Sequence, residues 1–220
     1  MRLWATFAIA LILSATALAA ARAETINIVA IGDSGVFGSG QGATHGGVPV
    51  GEAYPAKLER ALRARGWDVL VSNQGLRGGT ARGALSGEYG FPPIDQRIPP
   101  RTKITIVQYG NNDRSLLRTP ADNIARDLGE IIRRVRAKGS AVILVRQWPE
   151  RDEPAFAEVQ QSADSFVIWY SSVYYNGRLR PEYDSGDHAH LNAAGTDVIV
   201  AHAVPDVERL LMQIGARPRR

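Results

Sequence analysis

Short apolar runs alternate with helix-period segments along most of this chain, and that alternation restricts the folds open to it. Ile26 to Ile31 is a β-branched run stopped by Gly32, and Val69-Leu70-Val71, Ile104 to Val107, Ala141 to Val145 and Phe166 to Trp169 repeat the pattern. Between them, Tyr54, Leu58 and Leu62 recur at helical spacing, with Gly66 where a C-terminal cap belongs. Thr119-Pro120-Ala121-Asp122 has the form of a helix start, and Ile124, Leu128, Ile131, Ile132 and Val135 share one face after it. A last helix is expected from about Ala193 to Ile214, broken or bent at Pro205. Strands separated by helices imply right-handed crossovers and a parallel sheet covered on both faces. A dinucleotide fingerprint after the first strand and a phosphate-binding loop are both missing from the sequence, so neither common nucleotide site is supported.

Four polar blocks fall where strands of such a sheet should end. They are Gly32-Asp33-Ser34, Asn73 to Thr80, Gly110-Asn111-Asn112-Asp113 and Asp187-His188-Ala189-His190. In an open α/β sheet the ligand crevice lies outside the carboxyl ends of the strands. A hydroxyl nucleophile, amide donors and an acid–histidine pair would therefore open onto one edge, which is the equipment of a serine hydrolase.

Residues 1–23 stand apart. Arg2 is followed by an uncharged apolar run from Leu3 to Ala20, and Ala21-Arg22-Ala23 offers small residues at the two positions that a signal peptidase reads. A cleavable export signal is expected there, with residues 24–220 forming one α/β domain and no lasting membrane anchor. Arg2 and Arg22 leave with the signal and no acidic residue does, which lowers the formal net charge from +4 by two. Little then argues for a nucleic-acid partner, and the basic end at Arg217, Arg219 and Arg220 reads as a frayed terminus. The chain has no cysteine, which excludes thiol chemistry and thiolate metal sites. The periplasm or the exterior is the expected location.

Together the blocks resemble those of the SGNH hydrolases, the GDSL-type esterases and lipases, and are closest to small bacterial periplasmic enzymes with thioesterase, arylesterase and lysophospholipase activity. The likeness runs from Ile28 to Gly195: Gly-Asp-Ser, then N-x-G-x-x-G, then G-x-N-D, then D-x-x-H followed by Leu191-Asn192. It implies a three-layer α/β/α fold with a flavodoxin-like five-stranded parallel sheet in the order 2-1-3-4-5. By the same likeness Ser34 is the nucleophile, His190 the base and Asp187 its orienting acid. The oxyanion donors would be the backbone N–H groups of Ser34 and Gly78 and the side-chain amide of Asn112. No metal or other cofactor is implied.

Several neighbours compete for these roles. His188 and Asp184 could form a second pair, Gly75 rivals Gly78, and Asn111 rivals Asn112. Asp33 and Asp113 read as structural hydrogen-bonders, His45 as a loop residue and His202 as structural. Trp169, Tyr170, Tyr174 and Tyr175 either pack in the core or line an acyl groove. Three departures bear on specificity. Gly35 stands where the GDSL pattern has leucine, which implies a smaller or more mobile wall beside the nucleophile. The stretch from Gly35 to Gly51, with seven glycines, is expected to be a long mobile loop. Gln147 to Ser165 has room for only a short helix.

The chain is thus expected to cleave carboxylic esters or thioesters through an acyl-serine intermediate. A carbohydrate O-acetyl esterase using the same residues is the alternative within the class, and a non-catalytic extracytoplasmic binding protein the alternative outside it.

Overall fold

A computed structural model describes residues 24–39, 46–87, 90–147 and 154–219. β1 (Ile26–Gly32) leads through Asp33 into α1 (Ser34–Phe37), and a 3₁₀ turn at Val50–Glu52 precedes α2 (Tyr54–Ala64). Next come β2 (Val69–Gly75), α3 (Ala81–Ser86), α4 (Ile94–Arg97), β3 (Thr102–Gln108), α5 (Asn111–Ser115), α6 (Ala121–Ala137) and β4 (Ala141–Val145). α7 (Ala157–Ser162), β5 (Ser165–Val167), a hairpin of β6 (Tyr174–Tyr175) and β7 (Arg178–Leu179), and α8 (Ala193–Gln213) complete the order. The main sheet is wholly parallel with strands in the order β2-β1-β3-β4-β5, the topology that the resemblance implies.

Alternate side chains of the central strands feed two apolar layers. Ile28, Ala30, Ile104, Ile106 and Ile143 pack with α2 and α8 through Leu58, Leu62, Ile199, Ala203, Val207 and Leu211. Val29, Ile31, Val107, Val142 and Leu144 pack on the other face with α3 and α6 through Ala84, Ile124, Leu128, Ile131 and Val135. Period-two alternation sends successive residues to opposite faces, and both faces are covered, so the central strands carry apolar residues on both sides.

The details depart from the sequence expectations in ways that matter for the site. β2 runs on to Gly75, which makes Asn73 a strand residue rather than a loop residue. α6 begins at Ala121 with Pro120 before it, and Thr119 supplies no side-chain cap. α8 passes through Pro205 without ending, because Ala201 and Pro205 both face solvent and water can take the carbonyl that proline leaves unpaired. The C-terminal segment is tied down rather than frayed: the Arg219 N–H donates to Gly66 O at 2.7 Å and its guanidinium pairs with Asp68. Most consequential is the glycine-rich stretch. Ser34–Phe37 is helical, Ser39 bridges to Val48, and Val50–Glu52 is a 3₁₀ turn, so both stems of the expected loop are pinned.

Glycine is required where β2 meets the first helix. A Cβ on Gly75 would lie 2.3 Å from Phe37 N and 2.7 Å from Phe37 Cα, contacts with backbone that cannot swing aside. Gly75→Ala should therefore destabilise the fold by about 1–3 kcal/mol, the usual cost of overpacking. Gly51→Ala, whose Cβ would enter open space, should stay within about 0.5 kcal/mol of the parent. Urea denaturation of both variants measures the difference.

Candidate active site

The carboxyl ends of β1, β2 and β3 lie level, with Gly32 opposite Gly75 on one side and Gln108 on the other. Directly beyond Gly32, Asp33 caps α1 by accepting from the Gly35 N–H at 2.8 Å. The cap fixes Ser34 as the first residue of the helix, with its hydroxyl toward the sheet edge. The last block returns from far along the chain. Asn192 caps α8 by accepting from the Gly195 N–H, and the turn before it presents His190. His190 Nε2 lies 2.9 Å from Ser34 Oγ, and His190 Nδ1 lies 2.6 Å from Asp187 Oδ2. With the acid on Nδ1, the tautomer that leaves Nε2 free to accept the Ser34 proton is favoured.

Asp187 is held by more than the ring. Its Oδ1 accepts the N–H groups of Ala189 and His190 at 3.1 and 2.9 Å and the Ser185 hydroxyl at 3.2 Å. Partial burial works against its charge, but the His190 ring and these backbone donors outweigh that and keep the carboxyl well below the usual range. The competing pair also forms, with His188 Nδ1 2.7 Å from Asp184 Oδ2. The His188 side chain is 91% exposed, however, and Ser34 is hydrogen-bonded by His190.

The three nominated oxyanion donors border one cavity of about 540 Å³, together with His190. The backbone N–H groups of Ser34 and Gly78 have no protein acceptor among the described residues, and Gly78 sits at φ +71°, a backbone state that favours glycine. The rival Gly75 N–H is taken by Asn73 Oδ1 at 3.0 Å. Asn112 is buried and donates one amide hydrogen to Gly79 O at 2.9 Å, which orients the amide and leaves its second hydrogen unassigned. Asp113 accepts the Ala81 N–H at 3.0 Å, so the third block braces the second. Asn111 also borders the cavity but is less buried.

Gly35 departs from the family leucine for a visible reason. A Cβ there would stand 2.6 Å from Gln108 Nε2 and 2.8 Å from Gln147 Nε2. The wall beside Ser34 is therefore not vacant but filled by two buried amides. Gln147 reaches Asp33 Oδ1 at 3.3 Å, and Gln108 is joined to the Tyr170 hydroxyl at 3.0 Å. The sequence reading passed over both glutamines, although polar residues at the carboxyl ends of β3 and β4 were a signal that could have found them. The aromatic group divides. Trp169 is core, edge-on to Tyr54 with centroids 5.9 Å apart, Tyr170 and Tyr174 line the cavity, and Tyr175 is exposed. His202 bonds Ser172 Oγ at 2.5 Å on the outer side of α8, and His45 lies outside the described residues.

The chain's residues 30–198 match the model of the GDSL-like lipase/acylhydrolase family. The chain belongs to that family. It is an ester-hydrolysing enzyme with the SGNH fold. Among solved structures it is similar to a psychrotrophic esterase, EstA from Pseudoalteromonas sp., at 16% identity and a TM-score of 0.66, over 84% of this chain and 98% of that one. A carbohydrate acetylesterase family member from Sinorhizobium meliloti matches at 17% identity and a TM-score of 0.64, over 84% and 99% of the two chains. AlinE4, an SGNH-hydrolase family esterase, matches at 25% identity and a TM-score of 0.58, over 86% and 97%. None of the curated proteins matches the chain.

Beneath Ser34 lies the most costly group of the site. Asp33 is fully buried, and burial pushes its carboxyl from 3.8 up to about 6 against the bonds from Gly35 and Gln147. A raised folded value favours the protonated form, so its contribution to stability is present below about pH 4 and is lost as pH rises through 6. The interval corresponds to about 3 kcal/mol. Asp33→Asn keeps a capping oxygen without the charge. It should unfold at higher temperature than the parent at pH 8 and within a degree or two of it at pH 4, as measured by calorimetry.

Proposed function

We propose that the enzyme cleaves carboxylic esters or thioesters through an acyl-serine intermediate, with Ser34 as nucleophile. His190 Nε2 takes the Ser34 proton as Oγ attacks the acyl carbon, then returns it to the leaving oxygen or sulfur. Asp187 holds the ring and offsets the positive charge that develops on it. The Ser34 and Gly78 N–H groups and the Asn112 amide receive the negative charge on the acyl oxygen. A water, deprotonated by His190, then releases the acid. The observation that carries this reading is the continuous relay from Ser34 Oγ through both ring nitrogens to Asp187, bordering one cavity. We assign residues 1–23 to an export signal on their charge and apolar pattern, which would deliver residues 24–220 to the periplasm or the exterior.

A second reading, removal of acetyl groups from glycans, has a specific observation behind it. The cavity is bordered by Ser39, Arg77, Asn111, Ser115 and Gln147, groups able to bind hydroxyls, beside Val48, Leu116 and Leu191. The structural likeness to a carbohydrate acetylesterase agrees with that polarity. Hydrolysis rates for p-nitrophenyl esters of increasing chain length, beside acetylated xylan and acyl thioesters, separate the readings. A rate maximum on long acyl chains would exclude the glycan.

A fluorophosphonate should label the protein once, and Ser34→Ala should abolish both labelling and ester hydrolysis. Labelling that persists in the alanine variant would move the nucleophile elsewhere. His190→Ala should lose several orders of magnitude in kcat. His188→Ala should stay within about tenfold, or ~1.4 kcal/mol of barrier.

The oxyanion assignment has its own signature. A donor that strengthens its bond only as charge gathers acts on turnover rather than on ground-state binding. Asn112→Ala should cost about 10²–10³-fold in kcat with KM little changed. Asn111→Ala should be much milder. Steady-state kinetics on a short-chain ester decide it, and a rise in KM alone would make Asn112 a substrate-binding group instead.

A further inference from the structure

One bond to the carboxylate of Asp187 comes from a distant part of the chain. The Gly46 N–H donates to Asp187 Oδ2 at 3.1 Å, across 141 positions of sequence. Oδ2 is also the oxygen that receives the His190 ring, whereas the donors to Oδ1 all belong to the turn that carries Asp187 itself. Gly46 therefore touches the oxygen that faces the ring. The approach is close enough that a side chain must push a neighbour aside: a Cβ on Gly46 would stand 2.3 Å from Asp187 Cγ and Oδ2 and 2.3 Å from Ser185 Oγ.

Gly46 is itself held in place. The Val48 N–H donates to Gly38 O at 2.7 Å, Ser39 bridges to Val48, and a Cβ on Gly47 would stand 2.3 Å from Gly38 O. Gly38 in turn ends α1, where its N–H donates to Ser34 O at 2.9 Å. The helix that carries Ser34 is thus joined by a short set of backbone contacts to the segment that backs Asp187.

We infer that Gly46 is a positioning residue for the catalytic acid: its bare backbone fixes Oδ2 of Asp187 against the His190 ring and couples that acid to the helix of the nucleophile. This rests on Asp187 being the triad acid. Two features of the contact give the inference its content. The N–H supplies a neutral donor that orients the carboxylate without competing for its charge as a cation would. The missing Cβ leaves the room in which the carboxylate sits, so any L-residue at position 46 must displace Asp187 or the backbone. Since the ring follows the acid, the displacement would reach Nε2 and the proton transfer at Ser34, not the cavity that binds substrate.

The test combines Gly46→Ala and Asp187→Ala, singly and together, with Gly51→Ala as a nearby control whose Cβ meets nothing within 4 Å. Hydrolysis of p-nitrophenyl acetate and the rate of fluorophosphonate labelling are followed for each. Gly46→Ala should lower kcat by about 10- to 100-fold, the scale of a misplacement near 1 Å, with KM within about twofold. In the Asp187→Ala background the carboxylate is gone, and adding Gly46→Ala should change the residual labelling rate by less than about twofold, the non-additivity expected of a contacting pair. The far-downfield proton resonance of the His190 Nδ1–H should shift or vanish in Gly46→Ala and persist in Gly51→Ala. Should Gly46→Ala fail to fold, the amide proton of Gly46 gives the answer in folded protein. In Asp187→Ala it should move upfield and exchange faster than in the parent.

Normal turnover in Gly46→Ala beside an inactive Asp187→Ala would overturn the inference. Equal losses from Gly46→Ala in both backgrounds would also overturn it, and so would an unchanged Gly46 amide in Asp187→Ala. Full activity in Asp187→Ala itself would instead strike down the triad assignment, a different outcome from these.

Discussion

The site depends on the register of β1 with its two neighbours. Gly32 lies opposite Gly75 of β2 and Gln108 of β3, so three chain segments leave the sheet at one level. Each then turns sharply. Asp33 caps the helix that presents Ser34, Gly75 runs on to the Gly78 turn, and Gly110, at φ +107°, starts the helix that holds Asn112. Parallel strands make this possible because all of their carboxyl ends point the same way, toward the crevice at the switch between crossovers. A slip of one residue in either pairing would exchange the inward and outward faces and carry Gly78 or Asn112 away from Ser34. The glycines at this level are spacers as much as turn residues. A Cβ on Gly32 would stand 2.4 Å from Gln108 O, and one on Gly75 would strike the backbone of α1, the helix that begins with Ser34.

Two carboxyls near Ser34 have opposite environments, and the contrast divides their work. Asp187 is partly exposed and accepts five hydrogen bonds, counting that from Gly46, so it stays ionised and can balance a positive ring. Asp33 is enclosed, its Oδ2 has no hydrogen-bond partner among the described residues, and burial raises it to about 6. Carboxyls whose values are pushed apart mark different roles. Asp33 sets the geometry of α1 through the Gly35 N–H, while its charge, where present, acts on His190 only through space. The cost of enclosing it is borne beside Ser34, at the candidate site, where natural proteins commonly give up stability for function.

Much of this was legible in the sequence, because alternation and punctuation are local signals. The five strands, their order and the short helix before β5 follow from apolar runs and the family likeness. Three of the four blocks meet the carboxyl ends of β1, β2 and β3, whereas Asp187 to His190 ends no strand of the sheet and lies in the turn before α8, beyond β5 and the β6–β7 hairpin. What the sequence could not supply was whatever depends on contact between distant segments. Asp184–His188 and Asp187–His190 are both hydrogen-bonded pairs of nearly equal spacing; the family likeness prefers the second, and the contact of His190 with Ser34, 156 positions away in sequence, separates them in space. Gly75 and Gly78 look equivalent as text. The Gly75 N–H turns back to Asn73 because β2 extends four residues beyond its apolar run, whereas Gly78 lies past the strand and borders the cavity. Pro205 misled for the complementary reason: its local penalty is real, but solvent on that face of α8 removes most of it.

The substitution of glycine for leucine after Ser34 shows how one departure from a motif spreads. With no side chain at position 35, Gln108 and Gln147 close the space, and their amides meet Asp33 and Tyr170. A leucine would have made that wall apolar and passive. Here it is a polar network, which in a low-dielectric setting is rigid where satisfied and costly where not. The Oε1 of Gln147 and the hydroxyl of Tyr54, both buried and bordering the cavity through their residues, have no hydrogen-bond partner among the described residues. Each is a polar group enclosed at a cost to stability beside the cavity. The residue after Ser34 thus shapes the cavity wall without touching the relay, since the bonds among Ser34, His190 and Asp187 do not pass through position 35.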